Sequence, residues 1–292
     1  DSDMEWDFGM PWYRPTRIAH LTSGSEYGWR TGNSKWSPNY PDNLPATINI
    51  GQGSPTNVMF GGKANFPNKY KKALYAFDWS FGIIYAIHLT PKGATYEATA
   101  EEFISGAPLP LTDGTIGPDG AFYFATGGRR LESDLYRVYY KGELDTYTPL
   151  KEADLPQEAK LRRELEQYHA KGASAAGLEK GWSYLNHPDR FVQYAARVAV
   201  EHQPVASWKA KALAETNPTS KIQAILALAH QGTDADAAAM LTSLMQLDYA
   251  TLSATDKQNI LRTMEVILSR YDKGATASKA QLVAYLDPHY PA

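Results

Sequence analysis

The acidic groups at the start of the chain are the first that could do chemistry. In DSDMEWDFGMPW, Asp1, Asp3, Glu5 and Asp7 fall on one side of an extended segment, with Met4, Trp6 and Phe8 on the other. Carboxylates this close repel one another unless water, a basic partner or a cation screens them. All four are hard oxygen donors, a set that suits Ca²⁺ far better than zinc. The spacing is not that of an EF-hand loop: Trp6 stands where that loop needs glycine, and Trp12 where it needs the closing glutamate. A solvated strand face and a metal site are both open readings.

A second constellation follows in PWYRPTRIAHLTSGSEYGWRTG. Arg14, Arg17, His20 and Arg30 lie among Trp12, Tyr13, Tyr27 and Trp29. Arginines beside aromatics can hold an anionic or planar ligand by forked hydrogen bonds and stacking. His20 is the natural base if acid–base chemistry takes place. The competing reading is ion pairing with nearby acids and aromatic packing. Arg129 and Arg130 in TGGRR follow a strand end, where ligand loops sit, although a surface pair is the default for them. GQGSPTNVMFGG and TGGRR match neither G-x-x-x-x-G-K-[ST] nor G-x-G-x-x-G between a strand and a helix, so no phosphate cradle is expected. The histidines at 169, 187, 202, 230 and 289 are scattered, and neither H-E-x-x-H nor G-x-S-x-G occurs.

The elements that must position these groups fall into two kinds. Residues 1–150 hold 5 of the 7 Trp and 12 of the 19 Tyr, with glycine and proline throughout. Ala73–Trp79 (ALYAFDW) and Gly82–Leu89 (GIIYAIHL) are aromatic and β-branched runs separated by a short turn, which predicts a hairpin. Ala121–Thr126 and Asp134–Tyr140 repeat the form. Strand pairs at this recurrence suit the blades of a β-propeller, with a β-sandwich as the alternative. Residues 1–150 make about three blades, and a closed propeller needs at least four, so further blades are expected before Asp1.

From about Leu155 onward alanine, leucine and helix-forming charged residues take over. Helices are predicted over Gln157–Tyr168, Asn186–Gln203, Pro218–Gln231, Asp234–Leu247 and Thr255–Arg270, the last with an N-cap at Thr255. Their lengths and short links suggest an α-solenoid of HEAT type, with a plain bundle as the alternative. The expected fold is therefore a β + α multidomain chain: 1–150 as the final blades of a propeller and 151–292 as HEAT-like helices. The net charge of −3 argues against duplex DNA or an anionic membrane as the main partner. No apolar run reaches the length of a transmembrane helix. With no cysteine, the chain has no disulfide, no thiolate metal site and no C-x-x-C-H haem attachment.

The segments DSDMEWDFGMPWYRPTRIAH, SEYGWRTG, GQGSPTNVMFG, FPNKYKKALYAFDWSFGIIYAIHL, PLPLTDGTIGPDGAFYFATGGRRLESDLYRVYY and HPDRFVQYAARVAVEHQP together resemble a bacterial family. Its members combine a quinoprotein-like propeller of the glucose/sorbosone dehydrogenase type with HEAT-like helices and often a C-terminal cytochrome c domain. The resemblance implies an exported (periplasmic or cell-surface) oxidoreductase acting on a sugar or alcohol and passing electrons to a cytochrome c. It implies pyrroloquinoline quinone and Ca²⁺ as cofactors, with Asp1, Asp3, Glu5 and Asp7 near the metal. Arg14, Arg17, Arg30, Arg129 and Arg130 are the cations that could face the quinone. The missing blades, upstream or on another chain, and a cytochrome c domain are the implied partners; haem would lie outside this chain. Two positions depart from the family: Ser80 stands at its quinone-gripping lysine, and PLPLTD where an arginine pair is expected. The family's catalytic histidine belongs to an earlier blade, so this chain alone is expected to be inactive. The rival function is a non-catalytic propeller and HEAT scaffold that binds carbohydrate or a protein.

Overall fold

The computed structural model describes residues 14–30, 34–128, 130–149, 151–170, 172 and 174–290. The predicted metal ligands Asp1, Asp3, Glu5 and Asp7, and Arg129, lie outside the described residues.

The chain separates into a sheet unit and a helical unit. The sheet unit comprises residues up to His20, Trp29–Lys35 and Ala46–Pro156. In it β1 (Thr16–Ile18) pairs antiparallel with β4 (Ile48–Gly51), and β2 (Trp29–Arg30) with β3 (Ser34–Lys35). Next come β5 (Pro55–Phe60), the short helix α1 (Asn68–Lys71), β6 (Leu74–Asp78), β7 (Ile83–Lys92) and β8 (Thr95–Ser105). These four strands form an antiparallel meander in chain order. β9 (Leu111–Ile116), β10 (Phe122–Thr126) and β11 (Leu135–Val138) form a second meander, of three strands. Both predicted hairpins are present, as β6–β7 and β10–β11.

β6 reads as an unbroken apolar run because both of its faces are covered. Tyr75 and Phe77 pack with Ile84, Ala86, Phe122 and Phe124 on one side. Leu74 and Ala76 pack with Ile87, Ile18, Ile48 and Ile50 on the other. The four-stranded sheet is thus a middle layer, with β1–β4 against one face and β9–β11 against the other. The first strands of the two meanders adjoin: Thr56 Oγ1 donates to the Leu111 carbonyl and Asn57 Nδ2 to the Gly114 carbonyl, both at 2.9 Å. The described residues show no closed propeller.

The helical unit contains α2 (Gln157–Glu166), α3 (Ala175–Ser183), α4 (Arg190–Glu201), α5 (Lys209–Ala214), α6 (Pro218–Gln231), α7 (Ala237–Leu244), α8 (Ala254–Arg270), α9 (Asp272–Ala275) and α10 (Lys279–Leu286). α6 has the predicted bounds, with the Asn217 side chain accepting from the Ser220 amide. α4 starts later than the pattern suggests, because Asp189 caps the Phe191 and Val192 amides. Ser253, not Thr255, caps α8. α3 approaches α4 closely through Gly181, where an added Cβ would lie 2.9 Å from the Ala196 carbonyl. α2 and α3 pack on α4, α4 on α6, and α6 on α8. The described residues do not show a solenoid repeat.

The domain boundary differs from the composition shift at 150/151. The chain divides at Pro156/Gln157, and Leu21–Gly28 and Trp36–Pro45 belong with the helices. Hydrogen bonding by side chains of the helices is the physical reason. Arg190 donates to the carbonyls of Pro38, Tyr40 and Asn43, and Tyr194 Oη donates to the Gly24 carbonyl at 3.0 Å. Arg262 stacks on Trp36 and Tyr40, 4.4 Å from each ring centre. A guanidinium buried in a helix face must find acceptors, and this arm of the chain supplies them.

Candidate functional site

The turns at one end of the sheet unit meet. Asp78, the last residue of β6, is buried, and its Oδ1 accepts from the amides of Ser54 (2.8 Å) and Ser80 (3.0 Å). This carboxylate therefore ties the β4–β5 turn to the β6–β7 turn. The Trp79 amide donates back to the Ser54 carbonyl at 3.0 Å. On the other side, Trp79 Nε1 donates to the Gly127 carbonyl at 3.0 Å, and the Gly127 amide to the Pro110 carbonyl at 2.9 Å. Gly82 adopts φ +64°, and its carbonyl accepts from the Gly106 amide at 3.1 Å. Each turn follows a strand whose register the aromatic core sets, so their meeting is a consequence of how the two meanders pack.

Between these turns lies a cleft of about 190 Å³, lined by Trp79–Gly82, Gly106–Pro110 and Leu131. Phe81 and Leu131 are 52% and 45% exposed, so the wall offers apolar surface to a ligand. The volume lies below the roughly 300–1,000 Å³ of sites for drug-sized ligands and suits a single ring. Trp79 is held through its indole N–H, which fixes the plane of the aromatic wall.

Among the described residues, those offered from sequence as site residues do not line this cleft. Arg17 is buried on β1, opposite Asn49. Arg14 is partly buried, with Nε lacking a hydrogen-bond partner. His20 Nδ1 lies 3.0 Å from Thr95 Oγ1, and its ring meets Tyr96 edge-on at 5.1 Å. Arg30 lies on β2. Arg130 is exposed in the β10–β11 turn, with φ +69°. No group of three or more metal-ligating side chains occurs among the described residues. Ser80 and Pro108–Pro110, the departures from the family pattern, line the cleft itself.

A tricarboxylate quinone tests the cleft directly. Its carboxylates need cationic or multiple N–H partners once they leave water. The described lining holds neither lysine, arginine nor histidine. The described residues of this cleft do not fit that cofactor.

The aromatic wall, Trp79 and Phe81 with Leu131, was not found from sequence. The available signal was the W-S-F-G turn between two strongly apolar strands: a large aromatic in a tight turn has no core to enter.

No protein-family model matches the chain, and no curated protein matches it in sequence. Among solved structures, it is similar to a crystal structure from Thermus thermophilus assigned provisionally as an oxidoreductase (glucose dehydrogenase). That likeness has 19% identity and a TM-score of 0.35, and covers 45% of this chain and 38% of the other. The chain thus spans well under half of that protein's length, and no residue role is carried over from it. No helix among the described residues is long and apolar enough to cross a membrane.

Proposed function

We propose that this chain is the substrate-binding part of an exported oxidoreductase that acts on a sugar or alcohol. Its redox centre and its electron acceptor, a cytochrome c, would lie in other blades or on another chain. The observation that carries this reading is the aromatic and apolar cleft at the turn end of the sheets, with Trp79 locked and Phe81 free to stack. A pyranose or cyclic alcohol presents C–H groups to such a wall and keeps its hydroxyls toward water. On this reading the cleft contributes binding and orientation, and performs no electron transfer.

Calorimetric titration of the full chain with a panel of monosaccharides and cyclic alcohols, and separately with pyrroloquinoline quinone plus Ca²⁺, tests it. Saturable heat with at least one sugar or alcohol, lost in Phe81→Ala, is the expected result. Quinone binding that survives Phe81→Ala, with no heat from any sugar or alcohol, would overturn it.

A further inference from the structure

A second cavity, of about 400 Å³, opens in the helical unit where α4 and α6 end; Gly172, residues 201–205 and Gln231 line it. Among the described residues, its ionisable side chains, Glu201 and His202, turn acceptors toward it. Gln203 is already committed: Oε1 accepts from the Ser174 amide at 2.8 Å and Nε2 donates to the Ala199 carbonyl at 3.1 Å. His202 Nδ1 lies 2.9 Å from the Val198 carbonyl, which can only accept. Nδ1 therefore carries the hydrogen, and in the neutral ring Nε2 presents a lone pair. Glu201 gives Oε1 to Arg197 Nη1 and to His230 Nδ1 (2.9 Å), which leaves Oε2 without a partner among the described residues. Burial alone would favour the neutral acid, but Arg197 and His230 hold Glu201 below the usual carboxylate range, so it remains an anion. Apart from the Gln231 side-chain amide, which can donate or accept, what the described lining side chains leave for a ligand accepts hydrogen bonds.

The backbone adds to this. Glu201 and Gln231 are the last residues of α4 and α6, so the negative ends of two helix dipoles face the same cavity. Pro204 and Val205 supply an apolar wall. Trp208, fully buried, donates from Nε1 to the Gln203 carbonyl at 3.1 Å and stiffens that wall.

We propose that this cavity binds a primary ammonium or guanidinium group carried on an apolar stem. Glu201 Oε2 and His202 Nε2 accept from the cation, and the stem lies against Pro204 and Val205. A free amine and a lysine or arginine side chain of a partner protein share this chemistry. The site lies wholly within the helical unit and does not depend on the sugar or alcohol reading.

The test is NMR on the full chain, following the His202 ring and the Val205 methyls. The probes are n-butylammonium and n-butylguanidinium, with n-butanol and n-butyrate as controls. Saturable shifts from the two cations at millimolar concentration, absent with the controls, are expected. Glu201→Gln should weaken n-butylammonium binding by roughly tenfold, the worth of one charge-assisted hydrogen bond. Because Glu201 also supports Arg197, a second variant guards against misfolding. Gln231→Lys, at an exposed position, places a tethered ammonium at the mouth and should abolish binding of the free cation. A lysine-bearing tetrapeptide that binds roughly tenfold tighter than n-butylammonium would identify a protein side chain as the source; equal affinity would identify a small amine. Equal shifts from n-butanol, no saturable shift from either cation, or unchanged binding in both variants would overturn the proposal.

Discussion

Asp42 and Arg262 form a buried forked ion pair across 220 positions of sequence. Arg262 Nη2 donates to Asp42 Oδ2 at 2.7 Å, and Nε reaches both carboxylate oxygens at 3.1 Å. The side chains are 8% and 4% exposed, so neither charge has bulk water to return to. Removing Asp42 leaves Arg262, among the described residues, with only the exposed Glu265, 3.0 Å from Nη1, as a carboxylate partner, and breaks the buried part of the pair. Asp42→Asn is therefore expected to destabilise the helical unit by about 3–5 kcal/mol, measured by urea unfolding. Replacing both residues by apolar ones of similar volume should recover much of that loss, because no charge is then left buried.

His169 makes the same unit sensitive to mild acid. Its Nε2 lies 2.8 Å from the Ala195 carbonyl and its Nδ1 3.0 Å from Ser23 Oγ, with the His202 ring stacked at 5.8 Å. Burial first, and then the neighbouring His202, lower its pKa below the ordinary 6.5, against opposing pulls from the Ala195 carbonyl, Glu166 and Ser23. The unfolded chain then takes up a proton at higher pH than the folded chain does. The contribution is intact above 6.5 and is lost as pH falls through the depressed folded value. Unfolding free energies at about pH 7.5 and about pH 5.5 should therefore differ, and His169→Gln should flatten the difference.

Gly82 sets the approach of two turns around the cleft. Its φ of +64° disfavours any side chain, and an added Cβ would lie 2.4 Å from the Gly106 carbonyl. Gly82→Ala should cost more than about 1 kcal/mol and displace the 106–110 turn. Thermal unfolding reads the first effect. Sugar or alcohol titration reads the second, as weaker binding on the proposed function.

Phe122 joins the two meanders. It is fully buried and lies parallel to Phe77, with ring centres 5.8 Å apart and an interplanar angle of 10°. Phe122→Ala leaves a cavity between the two meanders, each held rigid by its own strand pairing. A loss of about 3–5 kcal/mol is expected in denaturant unfolding, with the sheet unit losing hydrogen-exchange protection first.

Much of this fold was legible because its signals are local. β6 and β7 declare themselves by aromatic and β-branched runs around a turn, and α6 by its apolar stripe between Asn217 and Gly232. β8 was not legible. Its TYEATAEEFIS carries alanine and glutamate, which favour helix, and it is a strand because β7 pairs with it from Ile83↔Ser105 to Lys92↔Thr95. The cleft was half legible. Ser80 and Pro108–Pro110 stand out as departures from a family pattern, but their shared wall depends on how three turns meet.

By itself the sequence determined that an aromatic, turn-rich half of strands precedes an alanine- and leucine-rich half of helices. Composition and periodicity act within a few residues and need no partner. Tertiary structure alone decided that Trp36–Pro45 folds with the helices. Arg190 is partly buried and Arg262 buried there; both must find acceptors, and those acceptors lie 147 to 220 positions away in the chain. No local spacing reports that demand.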